Sequence, residues 1–430
     1  MSPALRIAVI GAGPSGIAAI KSLREAGFAN VTGFDRNRAV GGNWLFDPGA
    51  THSSVFETTH IISSKTLSSY HDYPMPASYP DYPSHAQLAA YFQGYADHFG
   101  VTPHIRFGTE VLAAEPLPGD RWALRWEEDN RAHEATFDAL VVANGHHWKP
   151  RMPEYPGHFT GRILHSHDFK RAAPFAGQRV LVIGGGNSAC DVAVETARVS
   201  AVTDLSWRRG YWIVPKFIFG LPADVVAERT RWLPRAVRGW LNARLLRVLQ
   251  GPNARYGLPE PDHPFGATHP TVNSELMYAV RHGHIGVRRD LARYEGRTVH
   301  FTDGTHADYD TIIACTGYWI AHPFFRPEVV DFSQGPVPLY LRMFPARHPT
   351  LSFIGLFQPL GCIWPAAELQ SRVLAQRLAG RWAPPADLEA AIARELASPD
   401  YPQLDTPRHT ITVDYHAFAA RLRAALGQAA

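Results

Sequence analysis

The sequence predicts an α/β fold with two Rossmann-like, dinucleotide-binding domains, and three observations predict it. A short apolar run ends in G-A-G-P-S-G at Gly11 to Gly16, a second ends in G-G-G-N-S-A at Gly184 to Ala189, and each glycine-rich turn opens a helix. At roughly one domain per 150 residues, a chain of 430 residues holds two or three domains. Hydrophobic residues at 45% and charged residues at 19% exclude a disordered or collagen-like chain.

Leu5 to Ile10 reads as the first strand, a helix follows to about Ala26, and Val31 to Phe34 is a second strand ending at Asp35, 24 positions after Gly11. Gly11 allows the tight turn, Gly13 lets a pyrophosphate touch the backbone, and Gly16 lets helix and strand pack closely. Pro14 and Ser15 lie in the helix's first turn, where unpaired N–H groups and the positive dipole end meet the phosphates. The Asp35 carboxylate suits a ribose hydroxyl and an adenosine without a 2′-phosphate, as in FAD; Arg36 beside it is a further cofactor candidate.

Downstream come Pro- and aromatic-rich loops at Tyr70 to Pro83, a helix from about Ser84 to Phe99, and β-rich stretches at Ile105 to Val111 and Trp122 to Trp126. Phe137 to Ala143 reads as one buried strand ending at Asn144 and Gly145.

The second unit has a strand at Arg179 to Ile183, the turn with Gly184, Gly186 and Ala189, a helix through Asp191 to Ala197, and a strand at Val202 to Trp207. That strand ends in Arg208 and Arg209 with no acid. A 2′-phosphate would meet guanidinium groups there, through charge-assisted hydrogen bonds worth about 1.5–3 kcal/mol each, which suits NADPH. Asn187 and Ser188 place polar groups where the nicotinamide dinucleotide would lie, or they cap the helix. Residues 215–270 mix Arg-rich helical segments around Arg229 to Leu249 with a Pro/Gly-rich loop, an excursion suited to covering or lining a cleft.

Lys+Arg 42 against Asp+Glu 39 gives a formal charge of +3 without basic tails, so nucleic acid is excluded as a partner. Cys190, Cys315 and Cys362 stand apart and form no C-x-x-C, which fits a reducing compartment. His165/His167 and His282/His284 are spaced H-x-H without cysteine or carboxylate companions, so no metal site is expected. No signal peptide is visible, and no apolar run approaches the roughly 20 residues that cross a bilayer. The expectation is a soluble, cytoplasmic protein.

Three further motifs carry a family resemblance. They are G-G-N-W at Gly41 to Trp44, A-C-T-G-Y at Ala314 to Tyr318, and F-T-G-R-I-L-H-S-H-D-F at Phe159 to Phe169. The last matches F-x-G-x-x-x-H-x-x-x-F/Y. With the two glycine-rich turns in this order and spacing, nearly the whole chain resembles the flavin-containing monooxygenases. The resemblance implies an FAD-binding domain made of residues 1–168 and 314–430, with an NADPH-binding domain at 169–313 inserted. It implies that NADPH reduces FAD, that molecular oxygen then forms a flavin C4a-hydroperoxide, and that one oxygen atom passes to the nitrogen or sulfur of a small nucleophile. A homodimer is the family-level expectation. Gly42, Asn43, Trp44, Lys65, Thr66, Val111, Ala143, Asn144, Gly145, Thr316 and Gly317 are the remaining candidate cofactor contacts.

Among catalytic candidates, Gln358 in G-L-F-Q-P-L-G-C is suited to touch the isoalloxazine, and His165 to hold an interdomain loop that places NADPH. Phe169 followed by Lys170 departs from the Trp usual in Baeyer–Villiger monooxygenases. Ile62 stands where the family carries Asn, and an isoleucine donates no hydrogen bond; Ser63 or Ser64 is the available substitute. A Baeyer–Villiger-type oxygenase, an NADPH oxidase or reductase releasing hydrogen peroxide, and a nucleotide-occupied sensor are the rival readings.

Overall fold

The computed structural model describes residues 4–49, 52–333, 335–398 and 410–427. Ten strands, in chain order, build its two main sheets: β1 Arg6–Ile10, β2 Asn30–Asp35, β3 Ile105–Phe107, β4 Ala139–Val142, β5 Arg162–His165, β6 Arg179–Ile183, β7 Val202–Ser206, β8 Ile285–Arg288, β9 Thr311–Ala314 and β10 Leu351–Phe353. All pairs are parallel, in the orders β10-β4-β1-β2-β3 and β8-β7-β6-β9-β5. The central strands carry almost unbroken runs of Val, Ile, Leu and Ala that are buried on both faces, the pattern of a parallel sheet covered on each side.

The two sheets share one plan. In each, the strand before the glycine-rich turn lies in the middle, and a three-stranded antiparallel meander follows an edge strand in sequence, β3 in one and β8 in the other. The meanders are Thr109–Leu117, Arg121–Glu128 and Arg131–Phe137 in one unit, and Leu291–Glu295, Thr298–Phe301 and His306–Asp308 in the other. Helix α1, Pro14–Glu25, follows β1; helix α2, His85–His98, is opened by a capping box of Ser84 and Gln87; helix α3, Asn187–Ala197, follows β6.

The chain divides into a first unit of Met1–Phe46, Lys65–Lys149 and Trp319–Ala430 and a second of Asp47–Ser64 and Pro150–Tyr318. The second is larger than the expected 169–313 for two reasons. Strand β5 pairs with β9, which draws residues from 150 onward into it. Phe56 packs into the core around α3, and Glu57 N donates to Lys170 O at 2.9 Å, which draws in 47–64.

The expected single strand at Phe137 to Ala143 is two: Asp138 donates its amide to Arg6 O at 2.8 Å, turning the chain from the antiparallel meander into parallel β4. The Arg-rich excursion is two helices, Ala223–Arg229 and Arg235–Gln250, the second starting after Pro234. Thr271–Val272 pairs with Ile213–Val214, and Asn273 Oδ1 caps the next helix by accepting from Glu275 N and Leu276 N. Among the described residues no helix is long and apolar enough to cross a membrane.

Candidate functional site

In the first unit the turn after β1 is a strip of bare backbone. Gly11 has φ +105°, donates its amide to Phe34 O at 2.8 Å, and a Cβ there would lie 2.5 Å from Ala143 O. A Cβ on Gly16 would overlap the Gly11 carbonyl oxygen. Gly13 differs: its φ is −71°, and a Cβ would come no closer than 3.5 Å, to Gly42 Cα. Gly42 in turn has φ +55° and no room for a side chain against Gly13. The two glycines thus face each other where α1 begins. Among the described residues no side chain caps that helix, and its first turn holds no acid. Uncapped N–H groups on a side-chain-free strip fit a pyrophosphate.

Asp35 ends β2, buried, with Oδ2 accepting from Ala12 N at 2.5 Å and Oδ1 from Asn37 N at 2.7 Å. Burial raises its pKa, and these two amides act against the rise. A carboxylate accepts about four hydrogen bonds, so capacity for a ribose remains. The Arg36 guanidinium lies 5.1 Å from the centre of the Trp148 ring. Ser15, in the first turn of α1, lies against Gly355.

At the carboxyl end of β4, Ala143 N donates to Ile10 O at 2.8 Å and Asn144 Nδ2 to Ala321 O at 3.1 Å. Gly145 turns the chain at φ +72° into buried His146, whose Nε2 lies 3.3 Å from Gln358 Oε1. Trp44 packs edge-on against Trp364, with ring centres 5.8 Å apart, and Asn43 precedes it in the short helix Gly42–Trp44.

Two candidates have scaffold partners. Lys65 donates its ammonium to Tyr79 O and, at 2.9 Å, to Ala77 O, with exposed Thr66 beside it. Val111 sits at a β-bulge opposite Trp126, against the core of the first unit.

The second unit repeats the strip. Gly184 has φ +134° and donates to Ser206 O at 3.1 Å, Gly186 precedes α3, and Ala189 is fully buried beside Gly184. Asn187 does not cap α3: its Oδ1 accepts from Val272 N at 2.6 Å, while Ser188 is exposed. Asp191 accepts from Asn273 Nδ2 at 2.7 Å, and desolvation pushes its pKa up to about 6. Beyond β7, Arg208 is exposed and the Arg209 guanidinium lies 5.6 Å from the centre of the Tyr211 ring. Arg209 Nε has no partner among the described residues, a donor left for an anion.

Thr316 and Gly317 hold Arg151: its guanidinium donates to Thr316 O at 2.9 and 3.2 Å, and its amide to Gly317 O at 3.0 Å. His165, 2% exposed at the end of β5, accepts at Nδ1 from His167 N at 3.1 Å and meets Tyr318 edge-on at 5.0 Å. Burial, with His167 next, pushes its pKa down to about 4, so the ring is neutral at pH 7. Ile62 is 37% exposed, Ser63 is buried, and Ser64 N donates to Asp224 Oδ2 at 2.6 Å.

The catalytic candidates therefore divide, Ile62, Ser63 and His165 in the second unit and Gln358 in the first. Sequence reasoning missed His146 and Arg151. The histidine pair directly after Asn144 and Gly145 was a usable signal for the first; nothing local marked the second.

A family model described as flavin-binding monooxygenase-like matches residues 4–428. Flavin-containing monooxygenase 5 of Rattus norvegicus is 34% identical over 433 residues, 95% of this chain and 80% of that protein. Dimethylaniline monooxygenase [N-oxide-forming] 2 of Cavia porcellus is 34% identical over 390 residues, 86% and 72% of the two chains. Among solved structures, S-allyl-L-cysteine S-oxygenase from Allium sativum superposes with a TM-score of 0.73 at 24% identity, over 99% of this chain and 89% of that one, a likeness of fold.

Proposed function

The chain belongs to the flavin-binding monooxygenase-like family, as an FAD- and NADPH-dependent monooxygenase, and on that premise we propose that it oxygenates the nitrogen or sulfur of a small soft nucleophile. One observation carries the assignment of the carriers: two bare-backbone strips at helix starts, one followed by a strand ending in Asp35 and the other by a strand ending before Arg208 and Arg209. An acid accepts from a free ribose hydroxyl, and guanidinium groups bind a 2′-phosphate. FAD belongs to the first and NADPH to the second.

When bound, the flavin takes two electrons from NADPH and delivers one atom of dioxygen to the substrate. The protein's own residues bind, orient and exclude water. Gly13 and Gly42 admit the pyrophosphate to the α1 amides, and Asp35 fixes the adenosine end. Arg208 and Arg209 select NADPH over NADH. His165, neutral, keeps the end of β5 in place through the His167 amide and Tyr318. Ile62 gives its position an apolar side chain, so hydrogen bonding there falls to Ser63. The same reading places the protein in the cytoplasm as a homodimer, with no disulfide among its three cysteines.

The N-oxide-forming activity in the name of a relative 34% identical to this chain favours a heteroatom over a ketone as the oxygen acceptor. Ile62 favours one competing reading, an oxidase that releases hydrogen peroxide. Anaerobic NADPH followed by oxygen, with a tertiary amine, a sulfide and a ketone in parallel, separates them. The expected result is a bleached flavin and then N-oxide or sulfoxide; quantitative peroxide with no oxygenated product would select the oxidase, and an unbleached flavin would refute both. Replacing Arg208 and Arg209 by Gln should raise the NADPH KM about tenfold or more while sparing NADH. Equal losses with both nucleotides would remove the 2′-phosphate assignment.

A further inference from the structure

Parallel strands β4 and β10 are neighbours in the first sheet, and both end at its carboxyl edge, where open α/β sheets bind their ligands. Four residues beyond β4 stands His146; five beyond β10 stands Gln358. Both approaches are anchored to the glycine strip. Ala143 is the residue that a Cβ on Gly11 would strike, and Gly355 lies against Ser15. The two side chains meet at 3.3 Å, Nε2 to Oε1.

An amide oxygen only accepts, so the imidazole proton is on Nε2 and Nδ1 is a bare acceptor. That Nδ1 is buried and has no partner among the described residues, in a side chain only 7% exposed. Desolvation holds the ring neutral, with Gln358 acting the other way. A buried acceptor left open marks a place where something else supplies the donor.

We propose that His146 is a positioning residue for the oxygenation site: its Nε2–H, donated to Gln358 Oε1, fixes the amide so that its NH2 group remains as a hydrogen-bond donor for the bound isoalloxazine. The open Nδ1 is left for a donor that arrives with the bound group. The inference rests on the flavin reading above. It makes Gln358 a group of fixed orientation, and an oriented donor tunes a flavin where a freely rotating amide does not.

The test uses the flavin-loaded full chain and four variants: His146→Leu, Gln358→Leu, the double variant, and His146→Gln, whose amide reaches the position of Nε2. The readouts are the midpoint potential of the flavin and the share of NADPH electrons recovered as hydrogen peroxide. Each Leu variant should raise the peroxide share about fivefold and move the potential in the same direction, the loss of one hydrogen bond. The double variant should be no worse than Gln358→Leu, and His146→Gln should return both readouts to within about twofold of wild type.

Independent, multiplying effects in the double variant would overturn the proposal, as would an unmoved potential in His146→Leu. If His146→Leu fails to retain flavin, His146→Gln against the shorter His146→Asn decides, because only Gln spans the gap to Gln358; equal behaviour of the two overturns the idea. A wild-type protein that takes up no flavin would instead sink the parent reading, a different and separately visible result.

Discussion

Gly13 and Gly16 stand three positions apart in one turn and answer to different constraints. Gly16 is needed by the fold, because any Cβ there would collide with the Gly11 carbonyl; Gly13 has ordinary backbone angles and ordinary clearance. Gly16→Ala should therefore cost the apoprotein about 2–3 kcal/mol. Gly13→Ala should leave apoprotein stability within about 0.5 kcal/mol and still lower flavin content, if the bare Gly13 backbone admits the pyrophosphate as proposed above. Denaturant midpoints of the apoproteins and the visible absorbance of the loaded forms check this, and parallel losses in both variants would contradict it. The glycines were readable from sequence because the steric rule acts within a few residues. The carbonyl partners of Lys65 and the Gln358 partner of His146 were not, since the first come from an irregular loop and the second from 212 residues away.

At the scale of elements, the family fingerprint turns out to be one strand and its two anchors. Phe159 packs against Tyr294 with ring centres 5.8 Å apart, Gly161 has no room for a Cβ beside Asp310 O, and His165 ends β5. Phe169 stacks on Phe175 at 5.5 Å and meets Phe56 edge-on at 5.3 Å. Strand β5 is the edge of the second sheet, so these rings hold it in place. Phe169→Ala should remove about 3–5 kcal/mol from the second unit. Hydrogen exchange should then show lost protection at Arg162–His165 and around Phe56, with the first sheet unchanged; uniform loss across both sheets would count against it. Both helix starts and the central strands were legible from apolar runs ending in glycine. The break at Asp138 was not, because no Gly or Pro marks it and the turn is set by a hydrogen bond to Arg6.

At the scale of the molecule, each unit buries its own neutral histidine, and the pKa of His322 in the first is pushed down to about 3, that of His165 in the second to about 4. A depressed histidine pKa gives stability that is whole above the unfolded value of about 6.5 and is lost as pH falls toward the folded value, because the unfolded chain takes up the proton first. Asp191 has the opposite sign: its pKa, raised to about 6, destabilises the second unit above that pH, and the penalty disappears as pH falls toward about 4. Between about pH 6 and 4 the two offset each other. Asp191→Asn should accordingly be more stable than wild type by about 1–3 kcal/mol at pH 7 and lose that advantage by about pH 4, exposing the His165 slope of about 1.4 kcal/mol per pH unit. Denaturant unfolding of the two proteins across that range measures it; a constant difference would show that Asp191 does not titrate there.

The interleaving of the two units sets an order of birth. Strands β5 to β9 lie between Arg162 and Ala314 in one continuous run, whereas the first sheet waits for Leu351–Phe353 and then for Gln358. On the ribosome the inserted sheet has all its strands while the first sheet still lacks its last one, so on the reading proposed above the flavin site would be among the last parts of the protein to be completed.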